Sequence, residues 1–375
     1  MRKRLFVLIS FICVAFTAAY AQYTTDKVVG QKNTNVIDSL KTATYPYLLP
    51  IWGQRVVQKG FKIPKSAGLS AQYIFQESEI LIQNLQVGFN NGPMHSLDEI
   101  IRFNSAVARS EGLNLRPDFW IFPFLNVYGI LARSQTSTSI DAGIWLPDSS
   151  GWHEVTSFKT KAEFTATTYG FGLTPTVGIG GFFFALDANF SWSDIDELDK
   201  PAFVFVLGPR LGKNFVLTPK KPDMTLALWV GGFRVHLNSG TSGSLSATDL
   251  FPINEWEDKI NTMYTKVADS QQKVDAWWNG LTPTEQKNPV NIAKHDAANS
   301  VLARAGGFVD KASQVVTNAS DASVQYSLTK TPKNKWNFLI GTQFQINRSL
   351  MLRAECGIFG TRTQFIAGIQ YRFNL

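Results

Sequence analysis

Apolar and polar residues alternate with a period of two along much of the chain, the mark of strands whose two faces meet different surroundings. Between Phe182 and Ser193 one phase holds Phe182, Phe184, Leu186, Ala188, Phe190 and Trp192, and the other holds Phe183, Ala185, Asp187, Asn189, Ser191 and Ser193. Three further segments close the chain. Trp336, Phe338, Ile340, Phe344 and Ile346 oppose Asn337, Gly341, Gln343 and Gln345, and Leu350, Leu352, Ala354, Cys356 and Ile358 oppose Arg353, Glu355 and Gly357. In the last segment Phe365, Ala367, Ile369, Tyr371 and Phe373 oppose Gly368, Gln370 and Arg372. The short links 347–349 and 360–362 predict an antiparallel meander.

These segments run to about ten residues, the length a tilted strand needs to cross a bilayer. Aromatic residues gather near their ends, with Trp120, Phe122 and Phe124 around Pro123, and Trp192 and Trp336 at others. A secreted soluble β-protein would also alternate. The girdle-like aromatics favour an all-β transmembrane antiparallel β-barrel, which must close on itself because an open edge leaves amides unpaired in hydrocarbon. The predicted strands are 67–89, 111–121, 124–135, 160–178, 181–193, 200–213, 223–247, 322–346, 350–360 and 363–374. That is about 10 strands; 12 is the alternative if 67–89 turns at Glu77-Ser78 and a further strand lies near 46–63. With a periplasmic C-terminus, short turns fall on the periplasmic side and the long segments 90–110, 136–159 and 248–321 outside.

From Asn254 the period changes. Trp256, Ile260, Met263, Val267, Ser270, Val274, Trp277 and Leu281 recur at steps of three and four, one face of a helix. Asn254 with Glu257 reads as a capping box, and Gly280 and Pro283 mark the end. After Pro289 a second series, Ala298, Val301, Ala305, Phe308, Ala312 and Val315, predicts an antiparallel partner. An α-helical hairpin is therefore expected in the extracellular loop 248–321, with Gly306-Gly307 its weak point at roughly 1 kcal/mol per glycine.

Composition sharpens this picture. The chain has 28 Phe, 10 Trp and 10 Tyr but only 17% charged residues, a load that suits a membrane-embedded sheet. Arg2, Lys3 and Arg4 precede an apolar stretch, Leu5 to Ala19, and the small residues Ala19 and Ala21. That pattern predicts a signal peptide over residues 1–21. Removing it lowers the formal charge from +7 to +4. Lys and Arg are scattered, so nucleic-acid binding is not expected. Cys356 is then the one cysteine left, which excludes a disulfide framework. The expected organisation is 1–21 signal, 22–66 periplasmic arm or lumen plug, 67–247 first barrel strands, 248–321 surface loop and 322–375 closing strands.

Candidate chemistry is sparse. His95, His153, His236 and His295 form no paired ligand motif, so no metal and no cofactor is expected. Asp194-Ile195-Asp196-Glu197 lacks a calcium-loop pattern, and no nucleophile motif stands out, although a Ser-His or Asp-His site at the outer rim would join residues distant in the chain and leave no motif. Asp187, Arg210, Arg353, Glu355 and Arg372 take the polar phase of their strands and are expected to form a cross-lumen charge network. Trp256, Trp277 and Trp278 are the candidate partner surface of the helical hairpin.

The ending Tyr371-Arg372-Phe373 is similar to the C-terminal signal read by barrel-assembly machinery, although Asn374 and Leu375 follow it. With the stretches Pro123 to Gly129 and Trp336 to Phe373, the chain resembles Gram-negative outer-membrane β-barrels of an uncharacterised family. The resemblance implies the outer membrane, with lipid and lipopolysaccharide around the barrel. Three functions follow as expectations: a narrow porin-like channel for small solutes; a surface scaffold or adhesin binding a protein or glycan through 254–318; and, third, an outer-membrane enzyme.

Overall fold

The computed structural model describes residues 42, 44–59, 61, 63–196, 198–237, 240–246, 253–317 and 322–375. The expected signal peptide, 1–21, and most of the arm lie outside the described residues. Ten strands pair antiparallel into one closed ring: β1 (Ala67–Phe89), β3 (Ile101–Phe122), β4 (Leu125–Asp148), β5 (Gly151–Ile179), β6 (Phe182–Ile195), β7 (Ala202–Val216), β8 (Thr225–Leu237), β11 (Trp336–Gln345), β12 (Leu350–Ile358) and β13 (Arg362–Phe373). The ring closes where β1 pairs with β13, from Ala67↔Phe373 to Ser78↔Arg362. No edge is left along that height.

Three more strands and the two long helices stand beyond one end. β2 (His95–Ser96) pairs with the upper part of β1. Between β8 and β11 the chain forms β9 (Gly240–Ser246), two long helices and β10 (Ser323–Pro332). β10 pairs with β9 and with Ile80 to Phe89 of β1. Above Ser78, then, β10 takes the place beside β1 that β13 holds below.

Exposure is inverted relative to a water-soluble protein. Leu113 is 65% exposed and Phe338 66%, while Asp118, Glu355 and Arg372 are each 4% exposed. Outward residues in the lower part of the wall are apolar on every strand: Leu69 and Tyr73, Leu113 and Leu115, Phe182 and Phe184, Phe365 and Ile369. About ten residues of tilted strand make a band roughly 25 Å tall, matching hydrocarbon thickness. Packed aromatics mark its upper rim, where the Trp192 ring centroid lies 6.2 Å from that of Tyr169 and 5.2 Å from that of Phe203. The molecule is a transmembrane β-barrel.

Above the band the two faces exchange character. Along β4 the outward series Leu125, Val127, Leu131 gives way to Arg133, Gln135, Ser137 and Asp141, while the inward series becomes Ile140, Ala142, Ile144 and Leu146. Along β5 the outward Tyr169 and Phe171 give way to Lys159, Lys161 and Glu163. This upper wall stands in water outside and is greasy within.

The structure corrects several expected boundaries. Segment 136–159 is no loop: it is the paired upper arms of β4 and β5, joined at Ser149-Ser150. All of 101–110 is likewise strand. Segment 223–247 divides into β8 and β9, and 322–346 into β10 and β11, because Lys333-Asn334-Lys335 breaks the ladder. Residues 67–89 form one strand with a bulge between Gln83 and Gln86, not a hairpin at Glu77, so the ring has ten strands, not 12.

At the short-turn end, Gly180 and Gly181 hold φ of 60° and 81°, the paired positive values a tight hairpin between β5 and β6 requires. The described part of the arm, including helix α1 (Gly53–Gln58), lies across this end. Leu48 donates to the carbonyl of Leu375 and Ile51 to that of Ile121, while Trp52 packs 5.0 Å from Phe122.

At the other end stand helices α2 (Ile253–Asn279) and α4 (Pro289–Thr317), with the short α3 (Pro283–Gln286) between them. Ile260, Met263 and Val274 of α2 are buried with Val301, Leu302, Ala305 and Val309 of α4 and with Ile144 and Leu146 of the wall. The capping box observed here joins Thr282 and Glu285. Asn254 lies one residue inside α2, and its side chain lies outside the described residues.

Candidate functional site: the charged lumen

Inside the band, inward residues of eight- to ten-strand barrels can reach across and touch one another. Arg210 of β7 is the hub. Its Nε and Nη2 donate to Oε1 and Oε2 of Glu355 on β12 at 2.9 and 3.2 Å, and its Nη1 lies 3.2 Å from Asp187 on β6. Arg353 adds a 2.6 Å bond to Glu355, and the Trp229 indole donates to the same carboxylate at 3.1 Å. Asp187 in turn accepts from the Tyr128 hydroxyl, from Thr174 Oγ1 at 2.7 Å and from Asn189 Nδ2 at 3.1 Å. The Arg116 guanidinium caps the Tyr128 ring, 3.9 Å from its centroid.

Backbone geometry makes this crowding feasible. Tyr128 needs the space a side chain would take at Gly172, where an added Cβ would stand 2.3 Å from the phenol ring. Trp229 occupies the equivalent space at Gly341, also 2.3 Å from an added Cβ.

Of the five lumen residues singled out from sequence, Asp187, Arg210, Arg353 and Glu355 meet in this one cluster. Arg372 does not join it. Its guanidinium pairs with Asp118 of β3, which also accepts from Gln370 at 2.7 Å and Asn126 at 2.8 Å. Arg116, Asp118, Tyr128 and Trp229 were not singled out. The first two sit in the polar phase between Leu113, Leu115, Pro117 and Phe119, where period-two reading finds them. The two aromatics occupy inward positions, but hydropathy alone assigns such rings to the apolar face.

Arg116, Asp118, Asp187, Arg210, Arg353 and Arg372 line a cavity of about 130 Å³ that remains between the two clusters. Ile63 and Pro64 of the arm enter its lower margin. Arg348 bonds the Ile63 carbonyl at 3.3 Å, and Lys65 Nζ bonds Ser349 at 2.6 Å, tying arm to rim. Among the described residues no group of three or more His, Cys, Asp or Glu is placed to hold a metal ion.

The tryptophans of the helical hairpin lie apart from the lumen. Trp278 stacks on His295 with centroids 4.2 Å apart, and Lys294 Nζ stands 4.8 Å over Trp277; both indoles are half-buried at the hairpin tip. The side chain of Trp256 lies outside the described residues. Asp148, at the upper end of β4 far above the band, ties wall to hairpin. Its carboxylate is 3.4 Å from Lys273 and accepts from Ser150 N and Oγ at 2.8 and 2.7 Å. Burial raises its pKa, but the Ser150 bonds, His153 and Lys273 outweigh this and hold it at about 2.

No family model and no curated protein matches the chain. Solved structures similar to it are outer-membrane β-barrels. The β-domain of the Bordetella autotransporter BrkA is 10% identical, covers 82% of this chain and 100% of its own, and has a TM-score of 0.29. The transport unit of the Escherichia coli autotransporter AIDA-I is 9% identical, with coverage of 92% and 100% and a TM-score of 0.29. The Ralstonia pickettii toluene transporter TbuX is 9% identical, with coverage of 83% and 90% and a TM-score of 0.27. Likeness at this level carries neither activity nor ligand to this chain.

Proposed function

We propose that this chain is an integral outer-membrane β-barrel acting as a narrow, mostly closed channel for small solutes, with a preference for anions. The export pattern of residues 1–21 supports delivery beyond the inner membrane, and the barrel-signal ending Tyr371-Arg372-Phe373 supports insertion by assembly machinery. Lipid and lipopolysaccharide would then bathe the apolar band.

The observation that carries the reading is the lumen cavity lined by Arg116, Arg210, Arg348, Arg353 and Arg372 against Asp118, Asp187 and Asp223. Guanidinium groups outnumber carboxylates around a space of about 130 Å³, so the field there favours small anions and excludes larger solutes. Tyr128 and Arg210, which bridge the interior, form the constriction.

Planar-bilayer recording tests this. The native protein is expected to give small, anion-selective steps, and Tyr128→Ala combined with Arg210→Ala is expected to enlarge them severalfold. A bilayer that stays silent with both proteins, each shown to be inserted by heat-modifiable migration, overturns the reading.

A further inference from the structure

A second cavity, of about 210 Å³, lies where the helical hairpin closes over the inner face of the upper wall. Phe158, Phe164, Met263, Phe308 and Leu328 are among its lining, and among the described residues it holds no carboxylate. Its two charged groups are the amines of Lys259 and Lys330. Lys259 already donates to the Ser157 carbonyl at 3.1 Å. Lys330, on β10 beside Leu328, has no ion-pair or hydrogen-bond partner among the described residues, and burial pushes its amine below the ordinary lysine value.

A cation drawn partly out of water, as half-buried Lys330 is, is costly unless charge or hydrogen bonds offset it. The surroundings of Lys330 supply aliphatic and aromatic carbon instead. An engineered apolar cavity of 150 Å³ admits benzene, so this one has room for roughly eight carbon atoms. There is also a way in. β1 and β3 stop pairing above Glu79 and Val107, leaving an open cleft that shares Ile101 and Phe103 with the cavity.

We propose that this cavity binds a small carboxylate amphiphile, an apolar body of about eight carbons lying between hairpin and wall with its head group against Lys330. The site is separate from the lumen and does not depend on conduction. An apolar body supplies the burial that the dry lining rewards, and the carboxylate supplies the missing counter-ion.

Equilibrium dialysis of octanoate, 1-octanol and acetate against the protein held in amphipol tests the assignment. Octanoate is expected to bind at least tenfold more tightly than octanol, and acetate not measurably, since a charge-assisted bond is worth about tenfold or more. Lys330→Met is expected to lose that advantage while keeping octanol binding, and Lys259→Met to change octanoate binding by less than about threefold. Ala162→Phe, which fills the space, is expected to abolish both octanoate and octanol binding. Each variant is checked for heat-modifiable migration. The proposal is overturned if octanoate binds no better than octanol, if Lys330→Met leaves its affinity unchanged, or if Ala162→Phe leaves binding intact. Any of these outcomes leaves the conductance reading untouched, and a silent bilayer leaves this one untouched.

Discussion

Glu355 accepts from Arg210, Arg353 and Trp229 at once while only 4% exposed, so its charge and that of Asp187 together balance the two guanidinium groups. Glutamine in its place keeps the shape and removes the balance. Breaking a buried pair by neutralising one partner costs about 3–5 kcal/mol, whereas replacing all partners together with apolar groups costs far less. Glu355→Gln is therefore expected to lower the urea midpoint for loss of heat-modifiable migration, and a change of all four charged partners together, Asp187→Asn, Arg210→Met, Arg353→Met and Glu355→Leu, to recover much of the loss. Steric fit makes a parallel case. Gly172→Val drives a methyl into Tyr128 and is expected to destabilise the barrel by about 1–3 kcal/mol. In a Tyr128→Ala background the clash partner is gone. A double-mutant cycle in urea should then show most of the valine cost disappearing, and a cost unchanged by Tyr128→Ala would show that the glycine serves some other purpose.

At the scale of elements, the hairpin has a weakness that its packing does not require. Gly306 and Gly307 lie in mid-helix, and a Cβ added at either meets nothing within 4 Å. Alanine at each is expected to add about 1 kcal/mol to helix stability, seen as slower proteolysis within 253–317. The wall contact of that hairpin is expected to weaken in acid. Asp148 is held at about 2, below its ordinary value, so its contribution is full above about pH 4 and is lost as pH falls toward 2. Fluorescence of Trp277 and Trp278 should shift over that window, and Asp148→Asn should abolish the shift while loosening the hairpin at neutral pH.

These elements also show where reading from sequence succeeds. Strict alternation made the barrel strands legible from Phe182 to Phe373, and the change of period at residue 254 made the helices legible. The upper arms of β4 and β5 escaped for a physical reason. Arg133 to Ser139 is polar on both faces, since the wall there leaves lipid outside before it meets the hairpin inside, so alternation vanishes at the crossover and resumes in the opposite phase. The lumen shows the same split: charged residues announce an inward phase, while Tyr128 and Trp229 do so only once Gly172 and Gly341 are seen across from them.

Across the whole molecule, closure and occlusion are carried by different parts. All ten ladders of the ring lie outside 253–317, and the ends of β9 and β10 are already neighbours, with Ser246 opposite Ser323. A short Gly-Ser turn can therefore replace the hairpin at small entropic cost. The shortened protein is expected to keep heat-modifiable migration, because the β1–β13 seam from Ala67 to Ser78 is untouched. It is also expected to keep the native conductance, because Tyr128 and Arg210 obstruct the lumen within the band, below the hairpin. What changes is the upper wall: Ile140, Ile144, Leu146 and Leu97 lose their cover, so an environment-sensitive apolar dye should bind the shortened protein and not the parent. Large new conductance on deletion would instead make the hairpin the gate and move the constriction from the charged cluster to the helices.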